Sequence, residues 1–123
     1  MKDTQVRLSK KQIESVMSLY SSGDYEKAIE EIKILNESYP NVPLLFNLIG
    51  ACYRQVGKNE GAAKMFSVAV NIKPNYAEAY FNLGSTLREL GQVDEAIESY
   101  KKAISIKPNY PDAYNNLGNI LKH

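Results

Sequence analysis

The chain has 123 residues with 15 basic and 14 acidic side chains, a formal net charge of +1. That balance gives no global attraction to nucleic acid or to an anionic membrane. The apolar content of 44% suits one globular domain, the single cysteine rules out an intrachain disulfide, and no run nears the roughly 18 apolar residues of a membrane span.

The N-terminal tail, residues 1–8, begins Met1-Lys2-Asp3-Thr4-Gln5 and has no apolar h-region, so it does not read as a signal peptide. It is expected to fray. With one thiol and no export signal, a cytoplasmic protein is the default reading. Beyond the tail the chain repeats. Pro40-Asn41-Val42, Pro74-Asn75-Tyr76 and Pro108-Asn109-Tyr110 are spaced by 34 residues. Gly23, Gly57 and Gly91 keep that step, as do Ala28, Ala62 and Ala96, and Gly50, Gly84 and Gly118. A fixed period of this length marks stacked supersecondary units.

The first unit, residues 9–42, opens on Leu8-Ser9 with Gln12 three residues on, a staple residue and a capping box, so a helix should start near Ser9. The second unit, residues 43–76, carries four basic residues against one acid, Glu60. The third, residues 77–110, shows the pattern most clearly. Its first helix has Ala79, Tyr80, Leu83, Leu87 and Leu90 at helical spacing. Gly91 follows where the helix end favours positive φ. Its second helix carries Val93, Ala96, Ile97, Tyr100, Ala103 and Ile104 and stops before Pro108. Pro43 and Pro111 suit a helix first turn. Small residues at Gly84 and Ala96 permit close helix approach. Residues 111–123 supply only the first helix of a fourth unit. The expected fold is all-α: three helical hairpins plus one helix, seven helices in all.

These residues resemble the tetratricopeptide repeat family. The third unit follows the family pattern through Tyr80, Leu83-Gly84, Leu87, Ala96, Tyr100, Ala103 and Pro108. The second follows it through Phe46, Ile49-Gly50, Tyr53, Ala62, Phe66, Ala69 and Pro74. The first is degenerate, with Gln12, Ser15-Val16 and Leu35 departing from it. The resemblance implies a right-handed α-solenoid of antiparallel helix hairpins. It also implies a protein- or peptide-binding scaffold whose first helices line the concave side.

No catalytic constellation is visible, and no cofactor or metal site is expected. The only histidine, His123, is terminal and reads as a surface residue or the start of an affinity tag. Cys52 shares a helix face with Ile49, Tyr53 and Val56 and reads as a small buried hydrophobe. The tyrosines read as packing residues rather than a stacking platform for bases.

On the concave side the exposed positions of each first helix are the second, fifth, ninth, twelfth and thirteenth. Ile13, Met17, Leu44 and Phe81 would form an apolar patch, with Tyr20, Asn47 and Ser85 beside it. Arg54, Arg88 and Lys122 share the twelfth position and would form a basic row suited to an acidic peptide. Asn115 and Asn119 extend this face onto the last helix. Asn82 and Asn116 share the sixth position, where an amide can both donate to and accept from a peptide backbone. In this the third and fourth units resemble the repeats of O-linked N-acetylglucosamine transferase, although Leu48 and Glu14 interrupt the series.

The family's clamp for acidic chaperone tails calls for basic or asparagine residues where this chain has Ile13, Met17, Leu48, Phe81 and Ser85. A chaperone tail is therefore not the expected ligand. The unfinished fourth unit suggests a fragment of a longer protein, with Tyr114, Leu117 and Leu121 facing solvent and able to self-associate. Two alternatives to the binding scaffold follow. One is a substrate-recruiting segment of a transferase encoded downstream. The other is a self-associating structural fragment.

Overall fold

A computed structural model describes residues 7–122. Seven helices make up this segment: α1 (Lys10–Ser21), α2 (Tyr25–Ser38), α3 (Pro43–Gln55), α4 (Asn59–Ile72), α5 (Ala77–Glu89), α6 (Val93–Ile106) and α7 (Pro111–Leu121). Each packs on the next along the chain, with α3 against α4 and α5 against α6 the most extensive pairs. The result is the expected all-α solenoid of helical hairpins.

Local chemistry sets the helix boundaries. The Ser9 side chain accepts from the Gln12 backbone N–H, and the Gln12 amide oxygen accepts from the Ser9 N–H, a reciprocal cap. Pro43 and Pro111 occupy the first turns of α3 and α7. Each hairpin turn needs one residue with positive φ, supplied by Gly23, Gly57 and Gly91 at 82°, 83° and 82°. The expected fraying does not extend to Leu8, which packs against the first core cluster. Residues 1–6 of that tail lie outside the described segment.

The core is built around a size exchange within each hairpin. In the second unit Gly50 faces the fully buried Phe66, and a β-carbon placed on Gly50 would sit 2.6 Å from that ring. In the third unit Gly84 faces Tyr100 in the same way, at 3.0 Å. The first unit evens the sizes. Val16 and Ile32 stand at the equivalent positions, and both are buried. Total side-chain volume across the interface is thus roughly kept, which is what a packed core requires. Gly118 has open space where a ring would lie. Around it Tyr114 is 51% and Leu121 62% exposed, as expected, but Leu117 is half-buried against the second core cluster.

Cys52 is buried in the first core cluster, and burial pushes its thiol up to about 11. A thiol with so little thiolate at neutral pH is a packing group and not a nucleophile.

Candidate peptide-binding face

Helices α1, α3, α5 and α7 lie side by side, and polar side chains tie the first three together. The Gln55 amide donates to the Tyr20 hydroxyl at 3.2 Å, joining α3 to α1. The Asn82 amide donates to Asn47 Oδ1 at 3.0 Å, joining α5 to α3. An ion pair of 3.9 Å links Arg54 to Glu89 across the same two helices. Each tie comes from the 34-residue repeat, which brings equivalent turns of successive first helices level with one another.

The expected apolar patch divides in two. Ile13 and Leu44 are half-buried and line one hollow of about 480 Å³ with Leu8 and the turn from Ser38 to Val42. Met17 is 50% exposed on α1. Phe81 belongs elsewhere. Its ring stacks on Tyr110 at 5.2 Å between centroids and leans on Tyr100 at 5.8 Å. The turn before α7 brings Tyr110 there, a tertiary contact that helix position alone does not reveal. Lys107 covers the Tyr110 ring at 4.7 Å and reaches Glu78 at 3.6 Å. Burial, with the Glu78 and Asp112 carboxylates adding to it, pushes the Tyr110 phenol up to about 12.

Ser85, expected on the surface, is buried instead. Its hydroxyl lies 2.8 Å from the Tyr100 hydroxyl, which also accepts from the Asn116 amide at 3.3 Å. Tyr100 on α6, the second helix of the same hairpin, supplies that contact. The asparagines are likewise engaged. Asn47 accepts from Asn82, and burial raises the pKa of the nearby Tyr76 phenol, with Asn47 pulling the other way. Neither Asn47 Oδ1 nor Asn82 Oδ1 is a buried atom lacking a partner.

A second hollow, of about 380 Å³, gathers Arg54, Ser85, Arg88, Glu89, Tyr100 and Asn116. It unites five residues expected on this face, Glu89 at the thirteenth position among them, with one that was not, Tyr100. The Tyr100 hydroxyl was legible in principle. Phe66 fills the same position one unit earlier, and a hydroxyl added at a buried ring needs a polar partner. The basic row is less uniform than expected, because Glu89 engages Arg54. Asn115, Asn119 and Lys122 are exposed along α7 and line neither hollow. His123 lies outside the described residues. Among those residues no three His, Cys, Asp or Glu side chains gather to hold a metal, and no helix is long and apolar enough to cross a membrane.

The chain resembles solved TPR domains over nearly its whole length. The first TPR domain of Spaghetti (RPAP3), solved bound to the HSP90 peptide SRMEEVD, is 24% identical with a TM-score of 0.87, over 90% of this chain and 88% of that one. The second TPR domain of human RPAP3, in complex with the HSP70 peptide SGPTIEEVD, is 23% identical with a TM-score of 0.85, over 91% and 93%. MamA is 26% identical with a TM-score of 0.85, over 90% of this chain and 65% of that one. No curated protein matches the chain by sequence. The family model described as TPR repeat matches residues 50–87 and 84–122, more than half of the chain. The chain therefore belongs to the TPR repeat family.

Proposed function

We propose that this chain is a protein-binding repeat array that takes up an extended peptide along the face of α1, α3, α5 and α7. The observation that carries the reading is the cross-helix bond from Asn82 to Asn47. It fixes the Asn82 amide in place and leaves its carbonyl oxygen and second N–H for a peptide backbone. The repeat units at 9–42, 43–76 and 77–110, with the added helix at 111–123, provide the frame. A peptide other than a chaperone tail is favoured. Ile13, Met17, Leu48, Phe81 and Ser85 put no charge at the clamp positions, and Ser85 is engaged with Tyr100. The single buried thiol is in keeping with a cytoplasmic setting. The transferase alternative rests on Asn82 and Asn116 alone.

Selection from a displayed random-peptide library, followed by titration of the chosen peptide, tests the reading. Asn82→Ala is expected to weaken binding roughly 3- to 10-fold, the worth of about one net hydrogen bond. SRMEEVD, titrated in parallel, is expected to stay unsaturated where the selected peptide saturates. Tight binding of SRMEEVD would reverse the exclusion of chaperone tails, and a library yielding no binder would remove the peptide reading.

A second reading, self-association, is favoured by the exposed Tyr114 and Leu121 on α7. Sedimentation velocity is expected to show association rising with concentration, and Leu121→Lys to suppress it. A monomer at every concentration would discard this reading.

A further inference from the structure

We infer that the hollow between α3, α5, α6 and α7 is a carboxylate subsite of the peptide-binding face, filled by one acidic group of the bound chain. The inference rests on the peptide-binding reading above and adds the chemistry of one position along it.

The two hydroxyl protons on the floor of this hollow outnumber the hydrogen bonds they make. Asn116 Nδ2 donates to the Tyr100 oxygen. Tyr100 and Ser85 share a single hydrogen bond of 2.8 Å, which uses one of their two hydroxyl protons whichever group donates. The other proton is unspent. Thr86, the next residue on α5, returns its hydroxyl to the Asn82 carbonyl at 2.7 Å, but Ser85 makes no such bond to its own helix. Both hydroxyl groups belong to buried residues and line the hollow, at 0% and 8% exposure for Tyr100 and Ser85. That spare proton is available to a ligand that brings an acceptor into the hollow.

The rim agrees with the floor. Arg54 and Arg88 contribute two guanidinium groups to the lining. Against them stand one carboxylate, Glu89, and the Asn116 amide oxygen. Glu89 holds Arg54 only at 3.9 Å and is 55% exposed, so the pair is long and open to water. An incoming carboxylate can displace it, accept from both guanidinium groups and take the spare hydroxyl proton. Ser85 alone among the lining residues stands at a position of the chaperone-tail clamp, and it carries no charge there.

The probe is a peptide selected from the displayed library, remade with an acetylated N-terminus. One version replaces each internal Glu or Asp by its amide. A second keeps the acids and amidates the C-terminus. Loss of about 10-fold or more is expected from whichever change removes the bound carboxylate, as for a charge-assisted bond. The pair thereby tells a side-chain acid from a chain end. Arg88→Ala and Arg54→Ala are expected to weaken the acidic peptide similarly and to leave its amide version almost unchanged. Glu89→Gln is expected to tighten binding several-fold, a gain that damage to the fold cannot produce. Tyr100→Phe, which copies Phe66 of the preceding unit, is expected to weaken binding less than Arg88→Ala. Selected peptides that bind equally without any carboxylate, yet still depend on Asn82, would overturn the subsite and leave the peptide-binding face standing. Weaker binding by Glu89→Gln would overturn the subsite as well. A library that yields no binder would instead remove the reading on which the subsite rests.

Discussion

Phe66→Ala is expected to lower the unfolding free energy by about 3–5 kcal/mol, the range for deleting a buried ring. The effect should sit at the high end because the site cannot collapse. Phe66 is fully buried, and the surface facing its ring is Gly50, which has no side chain to move into the space. Ala62 and Ala96, fully buried in the same cluster, are too short to reach across. The loss falls in the middle hairpin, between the first unit and the third. In a solenoid each unit is stabilised by its neighbours, so the ends should begin to uncouple. Urea unfolding followed by circular dichroism is expected to show a lower midpoint and a shallower slope. A loss under about 1 kcal/mol would mean that α3 and α4 close the gap, contrary to the packing described.

Gly50→Val is expected to cost about 2 kcal/mol by overpacking. A first β-carbon already meets the Phe66 ring at 2.6 Å, and the ring is fully buried. The gain in helix propensity over glycine, about 0.5 kcal/mol, is too small to offset this. The first unit supplies the rescue, for there Val16 stands opposite Ile32. Gly50→Val combined with Phe66→Ile should therefore recover most of the loss, and the double-mutant cycle should show coupling above about 1 kcal/mol. Strict additivity of the two changes would show that Gly50 and Phe66 do not act as a pair.

How much of this was legible beforehand depends on the range of the interaction involved. The capping box at Ser9 and Gln12 could be read directly, because its partners are three residues apart. The turn glycines, the proline first turns and the burial of Cys52 were equally accessible. Each depends on backbone geometry or helix periodicity, and both are local. The 34-residue period carried this further by placing equivalent residues of successive units on one face.

What helix position could not supply was occlusion. Position alone puts Ser85 and Phe81 in the open. Ser85 is buried on Tyr100, and Phe81 is stacked on Tyr110. Position also leaves Arg54 and Glu89 as independent surface charges, although adjacent helices bring them together. The size exchange between Gly50–Phe66 and Val16–Ile32 is equally hidden, since each pair is separated by a full turn of the hairpin. The sequence by itself determined the repeat, the helices, their ends and which residues share the face proposed for a ligand, because periodicity and capping act over a few residues. Only the tertiary structure decided which side chains on that face remain open and which satisfy one another. Those outcomes depend on how closely one helix covers the next, and that distance is set by packing across the whole hairpin.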